Sequence, residues 1–364
     1  MSPPQNEKRS VSLPDVASEA GVSTATAARA LGGYGSVSRA SREQVLAAAA
    51  RLGYSRNELA SSMITGRTSS IGLVLGDIEN YFFSALARSV IDSAKARGYD
   101  VLVTNTDENI EAERTAVRVL QERRVDGLIV APVFSSDTAH LARLTERGTP
   151  LVIVNGTIAS LDIDCIIGDN VVGAGTAVDH LLSLGHRDIA IVFRSSGMPG
   201  APMSPALASQ SGSERVTGYR QSLERAGVTP RLDYQRGGGL RIEDAEIAVN
   251  TLLDLEHPPT AIVTTNSVIV LGLLRALAKR GLKVPQDMSV VNFDDPPWAA
   301  QVAPPLTTVA QPTKEMGELA VELLCQRLGS DGDPPGVHRL PTTMQLREST
   351  GRLKARRPGR PPVK

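Results

Sequence analysis

Thr24, Ala25, Ala28 and Arg29 carry the first chemical suggestion in this chain. At that spacing they share the outer face of a helix whose inner face holds Ala27, Ala30 and Leu31. A hydroxyl, two methyl groups and a guanidinium suit a helix laid in a DNA major groove. Arg29 and Thr24 would meet base edges or phosphates, and Ala25 a thymine methyl. Ser23 stands just before them, placed to cap the free N–H groups of that helix. Pro14-Asp15 opens a preceding helix with Val16, Ala17 and Ala20 on one face, and Gly21 breaks it. The pair reads as a helix-turn-helix, although spacing alone fits an ordinary helical hairpin as well.

Catalytic spacing is harder to find. His140, His180, His186, His257 and His338 are scattered, and none is spaced with a Cys, Asp or Ser as a metal site or a triad requires. Cys165 and Cys325 form no CxxC pair and read as thiols in a reducing compartment. Gly237-Gly238-Gly239 does not follow the GxGxxG pattern of a dinucleotide turn. No enzyme activity, cofactor or metal is therefore expected.

A chain of 364 residues suits a small module plus a larger one. Hydrophobic residues make up 41% and aromatics 3%, which fits an α/β protein with an aliphatic core. Zero net charge hides an uneven distribution. Residues 1–70 carry eight Lys/Arg against five Asp/Glu, and residues 350–364 carry six Lys/Arg and no acid. The middle therefore has an excess of nine acids, and positive ends on an acidic body suit contact with phosphates at the ends. No signal peptide and no membrane-length apolar run is apparent, so a cytoplasmic protein is expected.

The elements that must position these groups follow from periodicity. Ser41-Arg42-Glu43 opens a third helix that Gly53 stops. From Ile71 onward, apolar runs (Ile71–Leu75, Val101–Val103, Gly127–Val130, Leu151–Val154, Ile189–Phe193, Ala261–Val263, Ser289–Phe293) alternate with helical patterns (Ser84–Arg97, Glu111–Arg123, Ser213–Ala226, Glu243–Leu255, Ser267–Lys279). That alternation predicts parallel sheets covered on both faces, with ligands at the carboxyl ends of the strands.

The order DVA…AGVS…T…R…L, followed by VS…SREQVLAAAARLGY, resembles the DNA-binding headpiece of the LacI/GalR family of transcriptional regulators. Asn80-Tyr81-Phe82-Phe83, Val125-Asp126-Gly127, Asp169-Asn170, Gly185-His186-Arg187, Ser289-Val290-Val291-Asn292-Phe293-Asp294-Asp295 and Pro304-Pro305-Leu306-Thr307-Thr308-Val309 resemble its effector domain. The resemblance implies an all-α helix-turn-helix headpiece (residues 1–56), a hinge helix and linker (57–70), a periplasmic-binding-protein-like α/β domain (71–347) and a basic tail (348–364). The α/β domain would have two lobes with parallel sheets, one about 71–184 with 298–330, the other about 185–297 with 331–347.

It also implies site residues. In the hinge these are Asn57, Ala60 and Met63, with Met63 wedged into the minor groove. In the cleft, Arg215 matches a ligand-gripping arginine, Phe82 and Phe83 match pocket aromatics of which one is expected to be core only, and Asp294 and Trp298 flank the crossover. Ser267 stands where family members commonly have an Asp that accepts hydrogen bonds, so the cleft is expected to favour an anionic metabolite or a sugar derivative. The loop Ser195–Gly212 reads as a lid or as disorder. In the tail, Arg356–Pro362 resembles an AT-hook core, making Arg357, Gly359 and Arg360 minor-groove candidates, with a solubilising tail as the alternative. The expected protein is a homodimeric, effector-responsive repressor on a palindromic operator, with no membrane partner. Control by a protein partner, no effector at all, an architectural DNA-binding role and a solute-binding role stay open.

Overall fold

The computed structural model describes residues 11–32, 35–54, 67–133, 137–195, 197–202, 209–329 and 333–353. The chain divides into two units, residues 1–68 and 69–364. No helix among the described residues is long and apolar enough to cross a membrane.

Among its described residues the first unit has three helices: α1 (Leu13–Glu19), α2 (Thr24–Gly32) and α3 (Arg39–Leu52). Ser12 starts α1 by donating its N–H and its hydroxyl to the Asp15 carboxylate, at 2.8 and 2.6 Å. Gly21, at φ +65°, makes the turn between α1 and α2. Ser23 Oγ accepts the Thr26 N–H at 3.1 Å, which is the expected cap. The third helix begins two residues before the expected Ser41, because Ser38 caps it by accepting the Ser41 N–H. Val16, Ala17, Ala27, Ala30, Val45, Ala48 and Ala49 form its core.

The second unit holds two six-stranded sheets. The first contains β1 (Ser70–Leu75), β2 (Asp100–Asn105), β3 (Gly127–Val130), β4 (Leu151–Val154), β5 (Asp164–Gly168) and β11 (Val337–Leu340), in the order β11-β5-β4-β3-β1-β2. The second contains β6 (Ile189–Phe193), β7 (Gln235–Gly237), β8 (Ala261–Thr264), β9 (Ser289–Phe293), β10 (Thr307–Ala310) and β12 (Thr343–Gln345), in the order β12-β10-β9-β8-β6-β7. Among the strands of the described residues, only β12 runs antiparallel to its neighbour, β10. Central strands are buried on both faces, which is why they read as unbroken apolar runs.

Helices cover both sheets: α4 (Tyr81–Ala96), α5 (Ile110–Glu122), α6 (Ala139–Glu146) and α11 (Thr313–Gly329) on the first, α7 (Asn170–Ser183), α8 (Gln210–Arg225), α9 (Ile242–Leu253) and α10 (Ser267–Lys279) on the second. The expected lobe boundaries therefore need correction. Residues 170–183 belong to the second lobe, since Ala174, Ala177, Val178 and Leu181 pack with Ile189, Ile191 and Phe193. Residues 307–310 do as well, because β10 pairs with β9, whereas 337–340 join the first lobe through β11 and β5. The chain thus crosses between lobes after Gly168, after Ala310 and after Leu340. Register decides these crossings, and register is not visible in an apolar run.

Helices α7 and α8 pack almost backbone to backbone. A Cβ on Gly218 would stand 2.1 Å from the Val171 carbonyl oxygen. Because that obstacle is main chain, Gly218→Ala must push the helices apart and should destabilise the second unit by at least about 2 kcal/mol. Urea unfolding should show a lower midpoint at an unchanged slope; an unshifted midpoint would mean the crossing is looser than described.

Candidate functional site

On α2 the side chains divide as the sequence predicts. Ala27 and Ala30 are buried, while Ser23, Thr24, Ala25 and Arg29 are exposed and Ala28 is half-exposed. Arg29 Nε donates to the Ala25 carbonyl at 3.2 Å, so its stem is held along the helix. Its terminal nitrogens have no partner among the described residues, leaving a fork of donors free for an acceptor pair. Asn57, Ala60 and Met63 lie outside the described residues, as do Arg357, Gly359 and Arg360.

The second unit contains a cavity of about 120 Å³ between its lobes. At roughly 10–15 Å³ for each water, that is space for about ten, the size of a ligand with about a dozen non-hydrogen atoms. Much of its wall comes from positions one to three residues past the ends of strands. Glu108 follows β2, Pro132 and Val133 follow β3, Asn155 to Thr157 follow β4, Arg194 follows β6, Thr265 and Asn266 follow β8, Asp294 follows β9, and Gln311 follows β10. This is the carboxyl-end position where open parallel sheets bind ligands. Asn155 and Asp294 take left-handed φ values of +61° and +71°, which Asn and Asp tolerate better than most side chains.

Arg215, one turn into α8, is buried at the cavity wall. Its Nε donates to Asn170 Oδ1 at 2.9 Å, Nη1 donates to the Thr265 carbonyl, and the guanidinium lies 4.3 Å from the centre of the Phe293 ring. Burial pushes its pKa down to about 10, against the pull of Asp294 and Glu214, so it stays charged at neutral pH. Asp294 Oδ1 accepts from Gln311 Nε2 at 2.6 Å, while Oδ2 has no hydrogen-bond partner among the described residues. Burial raises the Asp294 carboxyl, opposed by Arg215 and by the Gln311 hydrogen bond. Gln311 Oε1 and Arg194 Nη1 are also buried without hydrogen-bond partners among the described residues. One cavity thus holds a free donor group and two free acceptors.

Phe82 and Phe83 both border the cavity while packing into the core of the first lobe, with ring centres 5.2 Å apart edge to face. The expectation that one would be core only is not met. Two other expected ligand residues do not border the cavity. Ser267 is buried and its Oγ accepts the Tyr81 N–H at 3.3 Å. Trp298, in a short 3-10 turn at Pro297–Ala300, packs against the second lobe's apolar cluster instead. The loop expected over 195–212 is shorter, because Ser209 caps α8 by accepting the Gly212 N–H and Gln210 already begins the helix. Glu108, Arg194, Gln210 and Gln311 went unread; three of them stand within three residues of a strand's end, which was the available signal.

Residues 12–57 match the family of bacterial regulatory proteins, lacI family, and residues 178–350 match the periplasmic binding protein-like domain. Catabolite control protein A of Priestia megaterium is 30% identical over 340 residues, covering 93% of this chain and 99% of that protein. The chain belongs to the LacI family. It is a DNA-binding transcriptional regulator, built from the family's helix-turn-helix headpiece and two-lobed α/β domain. The HTH-type transcriptional repressor PurR of Vibrio campbellii is also 30% identical, over 94% of this chain and 99% of that one. Among solved structures, the lac repressor dimer bound to operator and the anti-inducer ONPF superposes with a TM-score of 0.80 at 28% identity, over 94% of this chain and all of that one.

Proposed function

We propose that this LacI-family protein is a non-enzymatic, cytoplasmic, homodimeric repressor whose grip on a palindromic operator is set by a small neutral polyhydroxylated effector. Two headpieces related by a dimer axis read an inverted repeat, as the lac repressor dimer on its operator suggests. The observation that carries the effector reading is the set of unpaired groups in the cavity: Arg194 Nη1, Asp294 Oδ2 and Gln311 Oε1. A sugar hydroxyl donates and accepts at one oxygen, so a few hydroxyls satisfy all three. The geometry favours the sugar derivative over the anionic metabolite. The expected anion preference rested on an acid missing at position 267, but Asp294 and Glu108 supply carboxylates to the same cavity. Met63 as a minor-groove wedge, with Asn57 and Ala60 in its helix, and Arg357, Gly359 and Arg360 as minor-groove contacts remain proposals about segments outside the described residues.

Titrating the footprinted operator with protein, with and without neutral monosaccharides and their phosphorylated or carboxylated counterparts, tests the reading. A neutral sugar should change operator affinity by about 5- to 150-fold, the range of ordinary allosteric coupling. A response only to the anionic compounds, or only to added protein, would replace it.

A further inference from the structure

Arg194 stands one residue past the end of β6 in the second lobe, yet its guanidinium is held by carboxylates of the first. Nη2 donates to Asp77 Oδ2 at 3.2 Å, and Nε lies 3.5 Å from Glu108 Oε1. The three side chains are 11, 16 and 18% exposed, so this is a largely buried charge cluster and not a surface pair. The remaining nitrogen, Nη1, is buried and unpartnered at the cavity wall. Room for Glu108 is made by Gly76, where a Cβ would stand 2.5 Å from Glu108 Oε1. Two further contacts cross the same cleft. Gln210 Oε1 accepts the Thr157 N–H and hydroxyl at 2.8 and 3.1 Å, and Ser267 Oγ accepts the Tyr81 N–H.

We propose that Arg194 is a latch: it closes the cleft on the protein's own groups and offers its one remaining nitrogen to the effector. The proposal rests on the cavity being the effector site. A buried arginine shared by two carboxylates adds little to overall stability, because desolvation offsets attraction, but it strongly favours the one arrangement in which all three charges are paired. Opening the cleft leaves Asp77 and Glu108 as neighbouring like charges without their cation. The same count sets ligand charge. Arg194 and Arg215 are already matched by the protein's own Asp77, Glu108 and Asp294 carboxyls, so Nη1 has no anion to seek and suits a hydroxyl or carbonyl oxygen.

The Thr157 and Tyr81 amides are bonded across the cleft, so their hydrogen exchange reports closure in the full-length, ligand-free protein. Arg194→Ala should speed exchange at both by at least tenfold, and Asp77→Asn should do the same from the other lobe. Arg194→Lys, which keeps the charge but not the fork, should fall between. The Leu128 and Val290 amides, bonded to Pro150 and Ser349 within their own lobes, should not change. Equal Thr157 exchange in wild type and Arg194→Ala overturns the latch. Should Arg194→Ala also speed Leu128 or Val290, Asp77→Asn decides, and unchanged Thr157 exchange there overturns it. Failure of every sugar to alter operator binding would sink the effector reading while the Thr157 difference, if present, still supports the latch.

Discussion

Arg215→Met removes the effector response while leaving operator selection intact. Methionine keeps most of the volume of the buried stem and drops all the donors. Asn170 Oδ1 and the Thr265 carbonyl lose their hydrogen bonds, and Asp294 loses the cation that offsets its burial. Truncating one member of a buried, hydrogen-bonded charge set costs about 2–5 kcal/mol in binding, about 30- to 4000-fold in Kd. Calorimetry with the effector, once found, measures that loss. Arg215→Lys should recover only a part, because an ammonium cannot reach Asn170 and Thr265 while also lying over the Phe293 ring. Wild-type affinity in Arg215→Met would place the ligand elsewhere.

Arg29→Ala weakens binding to the preferred operator by about 1–3 kcal/mol, about 5- to 150-fold, and barely changes affinity for unrelated DNA. The fork of donors sets this outcome. Nε is already fixed to the Ala25 carbonyl, which orients the guanidinium and leaves its terminal nitrogens for one base edge. If Arg29 met only phosphate, affinity would fall equally on every sequence and the salt dependence would flatten. Paired titrations on operator and random duplex over a range of salt separate the two. Parallel losses on both would remove Arg29 from sequence readout.

What the sequence made legible, and what it hid, has a physical pattern. Gly127–Val130, Leu151–Val154, Ile189–Phe193 and Ser289–Phe293 match observed strands end for end, because strands buried on both faces cannot hide their apolar run. Asp164–Gly168 was missed because it opens on an acid, and that acid is buried, paired with Arg327 and bonded to the Gly336 N–H. Helix α11 escaped because its apolar residues are spread widely around it, with Leu319, Leu323 and Cys325 joining Met316, Ala320, Val321 and Leu324 against the first lobe's core, so no clean helical periodicity marks it. In the cavity, Phe82, Phe83, Arg215 and Asp294 were reached through motif resemblance. Arg194 and Glu108 were not, because each is an ordinary charged residue until the lobes bring the two together across 86 positions of chain.

Three passages between the lobes, after Gly168, Ala310 and Leu340, also set how the molecule can move and how it can be altered. Two bodies on a single tether can swivel freely, but three side-by-side tethers act as pins of one door and leave mainly a swing about a shared axis. A contact in the cavity is then converted into a rotation of defined direction, not a general loosening. The same weave means that no continuous stretch of gene encodes a lobe. A truncation before Thr313 would strip the first sheet of α11 and β11, and grafting a new ligand specificity onto this regulator requires exchanging several separate segments together.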